Sequence, residues 1–106
     1  MVSRELIEKL EKYLDEMKDW ERKPVVKSGR IVIEIVKLPE KRTKSDIKPQ
    51  RLALMIRRED AFRGMIIESP EELEDLAAAL SIEKVKEIAE AVWVIFKKRR
   101  VQEFEI

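Results

Sequence analysis

The chain has 106 residues, of which 44% are hydrophobic and 42% charged, and its formal net charge is +1. This length suits one domain with a core of its own, and the apolar share excludes a disordered chain. The absence of Cys and His removes disulfides, thiolate metal sites and the commonest general base, so we expect neither an enzyme nor a cofactor. The chain lacks an apolar run near the ~20 residues of a membrane span and a secretory signal pattern, so we expect a cytoplasmic protein without a membrane partner.

A long helix is predicted at the N-terminus, from an N-cap at Ser3 to about Trp20. Its apolar side chains recur at alternating spacings of four and three, which is typical of an amphipathic helix: Leu6, Leu10, Tyr13, Met17 and Trp20. This stripe either packs on the sheet of its own chain or also pairs with another chain.

Three to four antiparallel strands are predicted after Pro24, which ends the helical region. A short strand at residues 25–26 and a tight turn at 28–29 precede a strong strand at 30–38. Ile31, Ile33 and Ile35 of this strand are expected to face the core. The alternate side chains are expected to face the other way: Arg30, Val32, Glu34 and Val36.

A polar loop is predicted at residues 39–50, and its length favours a functional or mobile segment. A strand at 51–58 follows, with its leucines and Ile56 inward and the alternate side chains outward: Arg51, Ala53, Met55 and Arg57. A turn at 59–60 leads to a partner strand at 61–68. Within that strand, Gly64 indicates a bulge or a close backbone approach.

Two helices are predicted at the C-terminal end. The first begins at residues 69–72, where Ser69 is a candidate cap and Pro70 fits the first helical position. Ser81 is expected to cap the second, which ends in a basic run at 97–100, and the tail at 101–106 is either an edge strand or a helix extension. The predicted fold is α+β: an N-terminal helix, an antiparallel sheet of three to four strands and two C-terminal helices.

Charge is balanced overall but segregated along the chain. Residues 37–63 contain nine basic and four acidic side chains, whereas residues 68–90 contain two basic and eight acidic ones. High Lys, Glu and Arg with no Asn or Cys is typical of hyperthermophile proteins. A solubilised surface on a mesophilic or designed helical protein is the alternative interpretation.

The outward sheet face is the strongest candidate site, because it presents an apolar floor edged by arginines. Such a surface suits single-stranded nucleic acid, whose bases rest on apolar groups while guanidinium groups contact phosphate. Coverage of the same face by another subunit, in an oligomerisation or protein-interaction module, is the alternative. Glu34 lies within an apolar strand, and we expect it to pair with Arg30, Arg51 or Arg57 rather than to act as a base.

The strand motifs resemble a known family. Residues 30–39 (RIVIEIVKLP), 51–56 (RLALMI), 62–67 (FRGMII) and 69–73 (SPEEL) are similar to the conserved domain of the ThermoDBP family. These are archaeal single-stranded DNA-binding proteins from hyperthermophiles, and the similarity covers about residues 23–80. The resemblance implies a small sheet with helices, a cleft with an apolar floor and a basic rim for single-stranded DNA, and homo-oligomers formed through helices outside the sheet.

We therefore predict a single domain, 1–106, that binds single-stranded DNA or RNA without sequence preference. It comprises a helix at 1–22 that is also a candidate for assembly, the ThermoDBP-like core at 23–80, and a C-terminal helix and tail at 81–106. We expect a homo-oligomer, a dimer or a tetramer, formed through the N-terminal or C-terminal helix or both. The predicted binding residues are Trp20, Arg30, Lys41, Arg42, Lys44, Lys48, Arg51, Met55, Arg57, Phe62 and Arg63.

Overall fold

The protein forms two compact units in the computed structural model, which describes residues 2–104 and side chains through residue 100. The units are Met1–Ser69 and Pro70–Ile106. The first contains a helix followed by a four-stranded antiparallel sheet, and the second contains two helices. The predicted α+β fold is confirmed. The boundary between the units falls inside the segment 23–80 that carries the family resemblance.

The N-terminal helix, α1, spans Arg4–Glu16, and the Ser3 hydroxyl accepts a hydrogen bond from the Leu6 N–H at 3.1 Å. The cap at Ser3 is therefore confirmed, but the prediction that the helix reaches Trp20 was wrong. It ends at Met17, whose backbone is extended. The Lys37 ammonium explains this end, because it donates to the carbonyls of Leu14 and Met17 at 2.7 and 2.8 Å. A cation there satisfies carbonyls that the helix leaves unpaired.

The main sheet has the strand order β1-β2-β5-β6, with every neighbouring pair antiparallel. Its strands are β1 (Arg22–Ser28), β2 (Ile31–Leu38), β5 (Arg51–Arg58) and β6 (Met65–Ile67). A separate hairpin of β3 (Lys41–Arg42) and β4 (Ile47–Lys48) lies between β2 and β5 in the chain. The segment 39–50, predicted as a plain polar loop, therefore contains paired backbone.

The two edge strands differ from their predicted lengths. β1 is longer than the predicted strand at 25–26 and contains Pro24, with a register shift between Pro24 and Val26. An edge strand tolerates proline because one side of its backbone has no partner. β6 is shorter than the predicted 61–68. The close backbone approach predicted at Gly64 is confirmed, because a Cβ there would collide with the Ile56 carbonyl oxygen.

The burial of the two sheet faces corrects the sequence-based assignment. The face expected to be open carries the buried core cluster of Val36, Leu38, Ala53 and Met55, with Ile66 packed against it. We call this side the Met55 face. The isoleucines expected to be most buried are only half-buried at Ile33 and Ile35, and Ile31 is exposed. Both faces of the sheet carry apolar side chains. The alternation of residues along a strand therefore shows which side chains share a face, but it does not show which face is more completely buried.

In the second unit, α2 spans Pro70–Leu80 and α3 spans Glu83–Phe104. The start of α2 at Pro70 is as predicted. The expectation that Ser81 caps α3 was wrong, because α3 begins at Glu83 and Ile82 occupies the cap position, its carbonyl accepting from the N–H of Val85. The Ser81 hydroxyl instead donates to the Ala78 carbonyl at 2.9 Å, near the end of α2. Of the two alternatives for the tail, the helix extension is observed through Phe104. The last two residues of the tail lie outside the described residues.

Candidate nucleic-acid interface

A groove of about 670 Å³ lies over the Met55 face. Met55 and Ile66, which are opposite each other on β5 and β6, form its apolar base. Trp20 and Phe62 also line it, and their side chains are 57% and 78% exposed. The remaining lining residues are Arg22, Arg63 and Gly64. The groove thus combines an apolar base, two exposed aromatic rings and two cations.

Trp20 is held at the groove by an unusual backbone conformation. It is the third residue of a turn that the Glu21 N–H closes on the Lys18 carbonyl at 3.0 Å, and its φ is +68°. The Trp20 N–H donates to the Lys37 carbonyl at 2.7 Å, which extends the pairing of β1 with β2 by one residue. This region of φ favours glycine and costs a bulky residue on the order of 1–3 kcal/mol.

Arg22 connects the aromatic part of the groove to a charged cluster beneath it. Its guanidinium carbon lies 4.7 Å from the centroid of the Phe62 ring, which is cation–π distance. Its Nη1 atom lies 3.7 Å from Oε1 of Glu34, an ion-pair distance beyond hydrogen-bonding range. The Arg22 side chain is 19% exposed. The guanidinium is therefore oriented by a ring and a carboxylate while part of it remains accessible to solvent.

Arg57 makes the stronger contact with Glu34. Its Nε and Nη2 atoms donate to the two carboxylate oxygens at 2.6 and 3.4 Å, and its Nη1 atom donates to the carbonyls of Arg58, Glu59 and Ala61. The hydrogen bond from Arg57 lowers the pKa of Glu34 despite the opposing effect of desolvation, and the charges of Arg57 and Arg22 lower it further. The predicted pairing of Glu34 with an arginine is confirmed, and Arg57 is its partner.

Arg51 is likewise committed to an internal ion pair. Its Nε atom donates to Oε1 of Glu68 at 2.6 Å, and its Nη1 atom donates to the Pro39 and Pro49 carbonyls. This hydrogen bond is the main cause of the lowered pKa of Glu68, to which the charges of Arg51, Lys48 and Lys41 also contribute. Arg51 thus ties both ends of the β3–β4 segment to the end of β6.

The β3–β4 hairpin is a basic projection of the first unit, and we call it the basic hairpin. Lys41 and Lys48 are directly opposite each other across its strands, and Arg42 forms an exposed ion pair with Glu40 at 3.4 Å. Lys44 is exposed in the turn between the strands. Like charges directly opposite destabilise a strand pair, and the Glu68 carboxylate, which interacts with both lysines, offsets part of this repulsion. The hairpin therefore presents positive charge that an anionic ligand can neutralise.

Eight of the predicted site residues fall into two groups, and three arginines lie outside both. The groove brings together Trp20, Met55, Phe62 and Arg63. The basic hairpin carries Lys41, Arg42, Lys44 and Lys48. Arg51 and Arg57 have their guanidinium groups in ion pairs with Glu68 and Glu34, and Arg30 is exposed in the turn between β1 and β2.

Sequence reasoning missed Arg22. The sequence pattern places Arg22 at the end of the N-terminal helix, because it predicts that Pro24 stops the helical region. The signal that identifies Arg22 is its register on β1, opposite Val36 and therefore on the Met55 face. Recognising that Pro24 lies within an edge strand reveals that register.

The second unit carries a different surface, made of exposed apolar side chains on α3. Five consecutive residues are each 50–60% exposed: Val92, Trp93, Val94, Ile95 and Phe96. Since a helix turns once in 3.6 residues, these side chains point to all sides of α3. Trp93 and Phe96 stack with ring centroids 5.5 Å apart. A helix that is apolar all round is normally covered by other protein.

No family model, no curated protein and no solved structure matches this chain. Over residues 2–104, none of the helices has the length and apolar character needed to cross a bilayer.

Proposed function

We propose that this protein binds single-stranded nucleic acid without sequence preference in the groove over the Met55 face. The observation that carries the proposal is the presence of two exposed aromatic side chains, Trp20 and Phe62, on one groove with two arginines. Solvent-exposed aromatic rings beside guanidinium groups are the elements with which proteins stack unpaired bases and neutralise phosphates. Membership of the ThermoDBP family, with an archaeal, heat-adapted origin, is part of this proposal and rests on the strand motifs alone.

Stacking favours single strands over duplexes at this site. A base contacts an exposed ring such as Phe62 through its π-face, which a duplex keeps covered by its neighbouring base pairs. Every base has such a face, so the contact is tolerant of sequence. The apolar base at Met55 and Ile66 accepts the ring of a nucleotide but offers no hydrogen bonds that would read its edges.

The phosphate contacts differ from those that the sequence alone favours. Arg51 and Arg57 are engaged by carboxylates, so we assign the groove contacts to Arg22 and Arg63. The basic hairpin adds long-range attraction along the path of the backbone. The proposed protein is a non-enzymatic cytoplasmic binder whose affinity falls with salt as the ligand's counterions are released.

Titration of labelled single-stranded DNA, single-stranded RNA and duplex DNA over a salt series tests this proposal. We expect binding to the single strands, weaker binding to the duplex, and a linear fall of log affinity with log salt. Phe62→Leu should weaken single-strand binding about tenfold or more, because a stacked base contributes about 1–3 kcal/mol. Val25→Ala, at an exposed β1 side chain outside the groove lining, is the control. Single-strand affinity unchanged in Phe62→Leu would refute the site.

The exposed apolar surface of α3 favours a second candidate function, homo-oligomerisation through the C-terminal helix. The side chains of residues 92–96 are half exposed in a single chain, and a contiguous surface of this kind marks a protein–protein interface. α1 contributes less to this case, because its exposed large apolar side chains are Leu6 and Ile7 near its start, whereas Met17 at its end is buried. If the protein is oligomeric and the titration detects no binding to nucleic acid, this second function is the one supported: assembly without nucleic-acid affinity.

A further inference from the structure

Two guanidinium groups share one carboxylate beneath the groove. Arg57 donates two hydrogen bonds to Glu34, whereas the nearest nitrogen of Arg22 stays at 3.7 Å. The single negative charge of Glu34 therefore lies near two positive charges, and its hydrogen bonds are with Arg57. The charge of Arg22 is the less compensated of the two, although its side chain is only 19% exposed.

Arg22 is also the guanidinium with unused hydrogen-bonding capacity. Within the described part of the chain its guanidinium makes no hydrogen bond, and its ion-pair contact is the 3.7 Å approach to Glu34. No fully buried side-chain nitrogen in the described residues lacks a partner, so the unbonded nitrogens of Arg22, a lining residue of the groove, are not fully buried. Its nitrogens are thus reachable from the groove. The guanidinium lies within cation–π distance of the Phe62 ring, and its N–H donors are available to an anion.

We propose that Glu34 is a positioning residue that limits the affinity of the groove for phosphate, by holding Arg22 in a weak ion pair that a phosphodiester of single-stranded nucleic acid replaces. This inference rests on the proposed function and adds the residue that sets its strength. The phosphate group gains the N–H groups of Arg22 but approaches the carboxylate of Glu34, whose negative charge repels it. Arg57 is not released in this exchange, because three backbone carbonyls also hold it.

The direction of the effect separates this role from a purely structural one. Glu34→Gln keeps the shape of the side chain and an oxygen acceptor for Arg57, but it removes the repelling charge. The groove then carries one more uncompensated positive charge, so we expect affinity for single-stranded DNA to rise about tenfold at low salt. The log–log salt slope should become steeper by about 0.7, the value for one more phosphate neutralised on a single strand. If Glu34 only maintains the groove, the same variant should bind more weakly.

The experiment compares the parent, Glu34→Gln and Glu8→Gln with a labelled oligothymidylate over a salt series. Glu8 lies on α1 with a side chain 69% exposed, so its variant gives the same change of net charge away from the groove. Tighter binding and a steeper slope in Glu34→Gln alone support the inference. Equal gains in both variants, or no gain in Glu34→Gln, overturn it. A parent that does not bind overturns the proposed function first and this inference with it.

Arg22→Gln provides the second test if Glu34→Gln fails to fold. The inference then expects weaker binding and a slope shallower by about 0.7, with the fold retained as judged by circular dichroism. An Arg22→Gln protein that is folded and binds with unchanged affinity and slope overturns the assignment of Arg22, and with it the role of Glu34.

Discussion

The backbone N–H of Trp20 donates to the carbonyl of Lys37 at 2.7 Å. This bond joins an exposed aromatic residue in a left-handed conformation to the central strand β2. The Lys37 ammonium also closes α1 through two carbonyls. The position of Trp20 at the groove is therefore set from both the helix and the sheet, although its φ of +68° is unfavourable for a residue with a Cβ.

The conformation of Trp20 predicts that two variants with the same loss of binding differ in stability. Trp20→Gly relieves the left-handed strain and Trp20→Ala does not, so we expect the glycine variant to be more stable than the alanine variant by about 1 kcal/mol. Both variants lose the ring and should bind single-stranded DNA about tenfold more weakly or worse. Urea denaturation and oligonucleotide titration measure the two effects. An alanine variant as stable as the glycine variant would contradict the strained turn.

The Glu34–Arg57 pair predicts a specific acid sensitivity. Because the folded-state pKa of Glu34 is lowered below its ordinary 4.5, the carboxylate stabilises the fold above the unfolded-state pKa, and this contribution disappears as pH falls through the folded-state value. The free energy of unfolding of the parent should therefore decrease below about pH 4.5.

Arg57→Gln tests this linkage. We expect it to lower stability at neutral pH, since Glu34 keeps only the weaker contact with Arg22, and to make the acid-side decrease shallower. Arg30→Gln, in an exposed turn, is the matched control and should leave the pH profile unchanged. Parallel pH profiles in the parent and Arg57→Gln would show that this pair does not control the acid response.

The two glycines of the chain predict different costs of an added methyl group. At Gly64 a Cβ would collide with the Ile56 carbonyl oxygen and lie 2.6 Å from the Arg57 Cβ, so β5 and the segment leading to β6 would have to separate. Gly29 has a φ of +57° but open space around it. We expect Gly64→Ala to cost about 3 kcal/mol and Gly29→Ala about 1 kcal/mol. Chemical denaturation gives both values, and a smaller cost at Gly64 would contradict the close approach.

Arg63 provides a test of the groove cations that is independent of folding. It is exposed, and it takes part in none of the ion pairs found among residues 2–100. Arg63→Gln should therefore change stability by less than about 0.5 kcal/mol while making the log–log salt slope of binding shallower by about 0.7. Arg30→Gln removes the same charge from an exposed turn outside the groove lining. A slope that falls equally in both variants would indicate diffuse attraction rather than a groove contact.

The apolar surface of α3 predicts self-association. Val92 is 60% exposed on this helix, and Glu90 lies close by in the same exposed stretch. We expect light scattering to give an oligomeric mass for the parent and for Glu90→Lys, and a monomeric mass for Val92→Lys, because a buried unpaired ammonium opposes association. A parent of monomeric mass would exclude homo-oligomerisation through α3.

Local signals predicted most of the elements. The Ser3 cap, the alternating strands predicted at 30–38 and 51–58 and the start of α2 at Pro70 depend on short-range spacing. All of them are observed, with the first strand beginning one residue later, at Ile31. The end of α1 was misplaced because it depends on Lys37, a residue 20 positions beyond Met17 whose ammonium caps the helix. No local pattern around Met17 contains that information.

The sequence predicted only part of the candidate site, because the rest depends on contacts between residues that are far apart in the chain. Aromatic and basic residues near the strands identified Trp20, Phe62 and Arg63, which the fold brings to one groove. Alternation alone did not show that Arg51 and Arg57 are neutralised by acidic residues 17 and 23 positions away in the sequence. A charge-reversal test at these two arginines would therefore disturb the fold as well as any ligand contact, which makes Arg22 and Arg63 the better positions.

Pro24 gives the outer edge of the sheet a further property. It lies in β1 beside the register shift, and proline has no N–H to offer a neighbouring strand. A second molecule cannot extend the ladder continuously along this border, because the donor is missing where the strand is also distorted. The sheet is therefore protected from uncontrolled strand-by-strand polymerisation on that side, even though Val25 and Val26 are exposed there.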